Sequence, residues 1–374
     1  MTITPRDLRR ALAIAAKLAM LAGCSGALQL QPKTPAVGGA SARSPLSVNN
    51  AHPGLGASWI AADAATKNLL YISDEGANEV YVYSWPRGQL VGTLTGLAYP
   101  QGECVDKTGN VFITTLGRST ASYIFEYRHG GTKPIAKIKD SGYDASGCSV
   151  DPTTGNLAVT NLEGSNGSGG NLAIYNKAGR FLGYYTDTYI GYFFFCGYDN
   201  VGNLFVDGAR DYNPFDGFAF AELQVGSSGF TDITLNQTVN YPGGAQWDGK
   251  NIAVGDTDES VIYRFNISGI RGTEIGSTPL GGASYVLQFW IQGNKVVGPN
   301  AGAGNAMIWN YPAGGAATKA LGGLTDPVGS VVSLARRNEA VWRSARKSLA
   351  ADLFNGARQD EEALPNGTKR ARQP

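Results

Sequence analysis

Histidine is almost missing from this chain: of 374 residues, only His52 and His129 carry an imidazole. Two imidazoles so far apart argue against a histidine metal cluster and against a Ser-His-Asp relay. Charge is also sparse, at 16% Asp, Glu, Lys and Arg. Long apolar runs are absent, and the stretch Ala11 to Leu21 is too short to span a bilayer as a helix. No Walker loop or dinucleotide fingerprint stands in strand-helix context, which sets nucleotide chemistry aside.

What the chain has in quantity is glycine and aromatic residues: 51 Gly, 18 Tyr and 14 Phe. Glycine supplies the positive-φ corners of tight turns, and aromatic side chains fill pleated, half-buried surfaces. The composition therefore indicates many short strands rather than helices. The net charge of +1 hides an uneven distribution, because both ends are basic while residues 24 to 335 hold 18 Lys/Arg against 24 Asp/Glu. A body of about −6 repels nucleic-acid phosphates, so no nucleic-acid partner is expected.

At the N-terminus, Arg6, Arg9 and Arg10 precede the apolar run, which ends in Leu21-Ala22-Gly23-Cys24. This leader resembles the lipobox of bacterial lipoproteins. The resemblance implies a signal peptide over 1–23, lipidation of Cys24, and, with Ser25 next, outer-membrane sorting in a Gram-negative envelope. Residues 24–52 are rich in Gly, Ala, Ser and Pro and read as a flexible tether, while 336–374 reads as a basic tail, partly helical or disordered.

Between them an internal repeat organises the chain. Each copy has a strand ending in Asp, a tight turn, and a second strand usually opened by Asn. One copy runs Gly102-Glu103-Cys104-Val105-Asp106, then Asn110-Val111-Phe112-Ile113; another runs Gly147-Cys148-Ser149-Val150-Asp151, then Asn156-Leu157-Ala158-Val159. The same pattern recurs around Asp63, Asp199, Asp248 and Gln292, at a period in the forties with two further strands per copy. This is the spacing of an all-β, six-bladed β-propeller with four antiparallel strands per blade over residues 53–335. Trp59 to Asp63 reads as the first strand of the first blade. The stretch Pro327 to Leu334 reads as a strand closing the ring, with seven blades as the alternative count.

Pro100-Gln101-Gly102 through Asp106, then Gly109-Asn110, resembles the repeat of NHL-type propellers. That resemblance covers the whole ring and implies architecture rather than activity. The repeated Asp residues are expected to accept hydrogen bonds from backbone N–H groups in their own turns. The opposite face is the expected ligand face, because the insertions gather there. Its candidate residues are Asp74, Asn161 and Asp256 at second-strand ends, Tyr189 and Tyr192 between the third and fourth blades, and Asp211, Tyr212, Phe215 and Asp216 in a fourth-blade insertion. The alternative for the tyrosines is packing between blades, and Phe193 and Phe194 lean that way.

The expected function is a non-enzymatic, membrane-tethered scaffold in the cell envelope, monomeric and facing the periplasm or the exterior. Its partner is a small molecule, a glycan or an envelope protein, and its only link to the membrane is the lipid anchor. The alternative is a divalent-metal hydrolase or lactonase, as resemblance to gluconolactonase-like propellers would imply. Their Glu-Gly-Pro opening is not found here. Asp211, Asn213 and Asp216 offer oxygen ligands for Ca²⁺, but without the spacing of a standard calcium loop. No cofactor is expected otherwise. Finally, Cys104, Cys148 and Cys196 lie on first strands, and neighbouring first strands are expected ~8 to 10 Å apart, too far for most disulfides. All three are therefore expected as buried free thiols, with Cys104 and Cys148 the sole pair that strand alternation lets meet.

Overall fold

A computed structural model describes residues 46–48, 56–117, 121–141, 143–164, 168–210 and 217–336. Six antiparallel sheets follow one another along the chain as six blades of a β-propeller. Blade two is Pro100–Val105, Val111–Thr115, Ser122–Tyr127 and Pro134–Asp140, from inner to outer strand. Blade three is Tyr143–Val150, Leu157–Gly164, Gly169–Tyr175 and Phe181–Tyr185, and blade four is Tyr192–Tyr198, Leu204–Ala209, Phe218–Leu223 and Thr231–Asp232. Blade five is Pro242–Trp247, Ile252–Asp256, Val261–Ser268 and Arg271–Gly281; blade six is Trp290–Gln292, Lys295–Asn300, Asn305–Asn310 and Lys319–Gly322.

Blade one is assembled from both ends of the ring. Its inner strand is Pro327–Ser333, paired antiparallel with Leu69–Asp74, followed by Glu79–Ser84 and Gln89–Leu94. The closing role expected for residues 327 to 334 is therefore what the fold uses. The reading of Trp59 to Asp63 as the first blade's first strand is corrected, because Trp59–Ile60 pairs with Gln89–Leu94 at the outer edge. The physical reason is the turn after the strand. Asp63 leads into a 3-10 turn over Ala64–Thr66 instead of a hairpin, so the chain passes from the rim to the second strand and leaves the axial position to the closing strand.

Strand alternation explains why the blades must form a ring. Leu69 and Tyr71 of blade one pack into a cluster with Val111 and Ile113 of blade two. Leu70 and Ile72 point the other way, into a cluster with Val297 and Ile308 of blade six. Four further clusters fill the remaining gaps between neighbouring blades. Each fully buried Leu, Ile or Val contributes roughly 1.5 to 3 kcal/mol, and a lone blade would leave both its faces in water.

At the centre the inner strands approach closely, and glycine permits it. A Cβ on Gly102 would stand 2.5 Å from the Ser146 carbonyl oxygen, and one on Gly197 would stand 2.6 Å from that of Ala245. The same contact brings Cys104 and Cys148 to a Cα separation of 5.6 Å, where they form a disulfide. The expectation of three free thiols is corrected on this point: the pair that could meet does meet, because Gly102 has no Cβ to hold its strand off the Ser146-Gly147 backbone. Cys196 stays a buried free thiol, and burial pushes its pKa up.

Outside the ring's regular blades, short segments lie along outer edges. Leu46–Val48, within the stretch read as a tether, pairs parallel with Lys319–Gly322 on blade six. Thr234–Leu235 and Gly315–Ala316 lie parallel against the outer strand of blade five.

Candidate functional site

The repeated aspartates do what a turn requires. Asp106 Oδ1 accepts hydrogen bonds from the N–H groups of Thr108 and Asn110, both at 2.8 Å. Asp199 Oδ1 accepts from Val201, Gly202 and Asn203, and Asp151 and Asp248 hold their turns in the same way. Asp63 departs from the pattern, since it pairs with Lys67 in the 3-10 turn. These five side chains define one end of the ring.

That end contains the cavity. About 270 Å³ of space lies on the axis, between the second halves of the inner strands of blades two to six. Val105, Val150, Tyr198, Trp247 and Trp290 form its half-buried wall, and Pro152 and Asn200 stand at its rim. Deeper residues are the Cys104 and Cys148 pair, Phe195, Gln246, Gln288 and Phe289.

Both glutamines are engaged with the ring itself. Gln288 Nε2 donates to the Glu103 carbonyl at 2.9 Å, and its Oε1 accepts from the N–H groups of Glu103 and Ser330. One side chain of blade six thus ties blade two to the closing strand. Gln246 exchanges a matching pair of bonds with the backbone of Ile291. Asp199 is the one lining residue with a formal charge, and its carboxylate is already taken up by its turn. The cavity therefore offers aromatic and aliphatic walls, a sulfur and amide base, and no free charge. The Nε1 atoms of Trp247 and Trp290 are buried without an acceptor.

Three of the residues expected on the opposite face hold a place in the scaffold. Asp74 is fully buried and accepts from Ala77, Thr325 and Asp326 N–H groups, anchoring the loop that enters the closing strand. Asp256 is buried and accepts from Asn240 N–H at 2.8 Å, holding the loop that enters blade five. Asn300 plays this part in blade six, where it accepts from the Ser284 and Tyr285 N–H groups. Asn161, also buried, donates to Asp140 and Asn171. Tyr189 is 60% exposed and Tyr192 is half-buried, whereas Phe193 and Phe194 are buried between blades. Cys24, Asp211, Tyr212, Phe215 and Asp216 lie outside the described residues.

Two buried carboxyls were not singled out in the sequence. Glu103 receives the Ser73 hydroxyl at 2.8 Å, and burial pushes its pKa up to about 8, against the opposing pull of that bond and of the Val331 backbone. Asp207, on the second strand of blade four, accepts from Phe195 N–H at 2.7 Å; burial raises it to about 7, opposed by backbone donors that include Gly243 and Gly244. Aligned second strands hint at the second of these, because blades one, two and three carry Ser73, Thr114 and Thr160 where blade four has Asp207. His129 sits at the seam of the ring, with Nδ1 2.7 Å from Ser333 Oγ and Nε2 2.9 Å from the Lys67 carbonyl. Among the described residues no three His, Cys, Asp or Glu side chains gather to hold a metal ion.

No family model and no curated protein matches the chain. Solved structures do match in shape. A chain of the nidogen/laminin complex superposes with a TM-score of 0.59 at 13% identity, covering 72% of this chain and 100% of that one. A protein of unknown function from Bacteroides caccae superposes with a TM-score of 0.54 at 14% identity, covering 71% and 99% respectively. Both likenesses concern the fold.

Proposed function

We propose that this protein is a non-enzymatic binding scaffold whose ligand site is the axial cavity, and that the propeller is carried in a bacterial cell envelope on a lipid anchor. The observation that carries the binding reading is the cavity itself: an uncharged, aromatic-walled space on the axis of a rigid ring. Its volume is at the small end for ligand pockets, and its lining suits a small, neutral, planar or apolar molecule better than a phosphate or a sugar acid. The lactonase reading needs converging carboxylates, and Asp199, the one carboxylate lining this cavity, is spent on its turn. A glycan or an envelope protein remains the partner class for the loop-rich face.

Two aromatic reporters make the proposal testable. Titrating neutral aromatic compounds should change the tryptophan fluorescence, and Trp247→Phe together with Trp290→Phe should remove that response while the protein stays folded. A ligand that binds with the response intact in the double variant would move the site elsewhere.

The envelope reading rests on Leu21-Ala22-Gly23-Cys24 and gains support from the Cys104–Cys148 disulfide, since such bonds persist in oxidising compartments. Cys24→Ser is expected to abolish metabolic labelling with a fatty acid and to release the body from the membrane fraction. Retention of that variant on membranes would place the anchor elsewhere.

A further inference from the structure

The rim of the propeller treats its blades unequally. An outer strand presents unpaired backbone groups that invite another strand, and proteins blunt such edges with added segments, charges, proline or brevity. Blades one, five and six are covered by short segments of the chain itself. Blade two starts its outer strand with Pro134 and carries Lys137 and Lys139 along it, while blade four's outer strand is two residues long.

Blade three has none of these protections among the described residues; the one irregularity of its edge is a bulge at Leu182, which stands between the pairs Tyr175–Phe181 and Ile174–Gly183. Its outer strand, Phe181–Tyr185, is the last strand of its sheet, contains no charge or proline, and runs for five residues. Phe181 is 44% exposed, Leu182 47% and Tyr184 40%, and the Phe181 and Tyr184 rings touch in a tilted pair with centroids 4.5 Å apart. A Cβ on Gly183, at the strand's centre, would meet open space.

We infer that this edge pairs antiparallel with the same edge of a second copy of the chain, about a twofold axis at Gly183. The sequence is self-complementary in that register. Leu182 falls opposite Tyr184 of the other copy, and Phe181 falls opposite Tyr185, which gives aromatic and aliphatic cross-strand pairs. Arg180 precedes the strand and Asp187 follows it, so the twofold places a cation of each copy beside an anion of the other. A parallel pairing would instead set like beside like. The interface is small, so the association is weak and emerges at micromolar concentration. This inference is independent of the axial cavity.

Sedimentation velocity of the full chain, from low to high micromolar, should show a monomer-dimer equilibrium in place of a simple monomer. Leu182→Lys should weaken that association by roughly tenfold or more without changing the melting temperature, because it puts a charge on the pairing edge at an exposed position. Gly183→Cys should cross-link into a covalent dimer under mild oxidation, whereas Thr186→Cys, away from the axis, should not. Monomer across the whole range, or a dimer indifferent to Leu182→Lys, would overturn the inference, as would cross-linking through position 186 in preference to 183.

Discussion

Replacing Cys104 and Cys148 together with Ala is expected to lower the unfolding free energy by about 4 kcal/mol, the loop-closure value for a bridge spanning 44 residues. The bridge joins the inner strands of blades two and three. Unfolding must otherwise release the whole first hairpin series between them, and the cross-link keeps that segment closed in the unfolded chain. The ring has a second fastening, the closing strand Pro327–Ser333 paired with Leu69–Asp74, so the variant should still fold. Urea midpoints of the wild type with and without reductant should differ by nearly the same amount as wild type and variant. Cys196 provides an internal check, because a thiol count on the denatured, unreduced body should find this one free group. A count of three would mean that the inner strands do not close as described.

Raising the pH is expected to destabilise the propeller across the neutral range, opposite to the trend set by salt-bridged carboxylates. Glu103 and Asp207 are held by burial at about 8 and about 7 in the folded ring, above their ordinary values of 4.5 and 3.8. Between those limits the folded state keeps protons that the unfolded chain releases. Stability is therefore fully present at acidic pH and is lost as the pH climbs through the folded values, by up to ~1.4 kcal/mol per pH unit for each group. Both groups lie next to inner strands: Glu103 between Ser73 and the closing strand, Asp207 against Phe195 and the glycines of blade five. Glu103→Gln, which keeps the shape and removes the titration, should flatten much of the slope and leave the variant more stable than wild type at about pH 8. Equal slopes in wild type and in a Glu103→Gln, Asp207→Asn variant would show that these carboxyls do not govern the dependence.

Much of the architecture is visible in the sequence because a blade is a local object. Each hairpin is a few residues long, and Asp-to-Asn turns such as Asp106 to Asn110 mark its register without reference to the rest of the chain. The features that are not visible there depend on long-range closure. Trp59 to Asp63 ends in the same residue as a true inner strand, yet its place on the axis is taken by residues nearly 270 positions later. Pro-x-Gly opens three of the six inner strands, in Pro100-Gln101-Gly102, Pro242-Gly243-Gly244 and Pro327-Val328-Gly329; it is missing from the Trp59 stretch, but also from the inner strands of blades three, four and six, so it marks the closing strand without excluding Trp59. Its glycines are where inner strands touch, and those contacts also explain the disulfide.

The candidate site was less legible for a related reason. Asp74 and Asp256 draw attention as polar residues on an irregular face, but polarity alone does not distinguish a ligand contact from a buried anchor for a loop backbone. Much of the cavity wall comes from one residue in each of blades two to five, in the column just before the repeated Asp: Val105, Val150, Tyr198 and Trp247. Within a single blade, each looks like an ordinary strand residue. Across blades, the column turns aromatic on one side of the ring, which is the available sign of a wall rather than a core.

The most direct test of the binding scaffold is a crystal structure of the protein soaked with a library of small neutral fragments. Bound fragments should gather on the axis, in contact with Trp247 and Trp290 and above the Cys104–Cys148 bridge. An empty axial cavity, with fragments gathered instead around Tyr189 and Tyr192 on the opposite face, would contradict it.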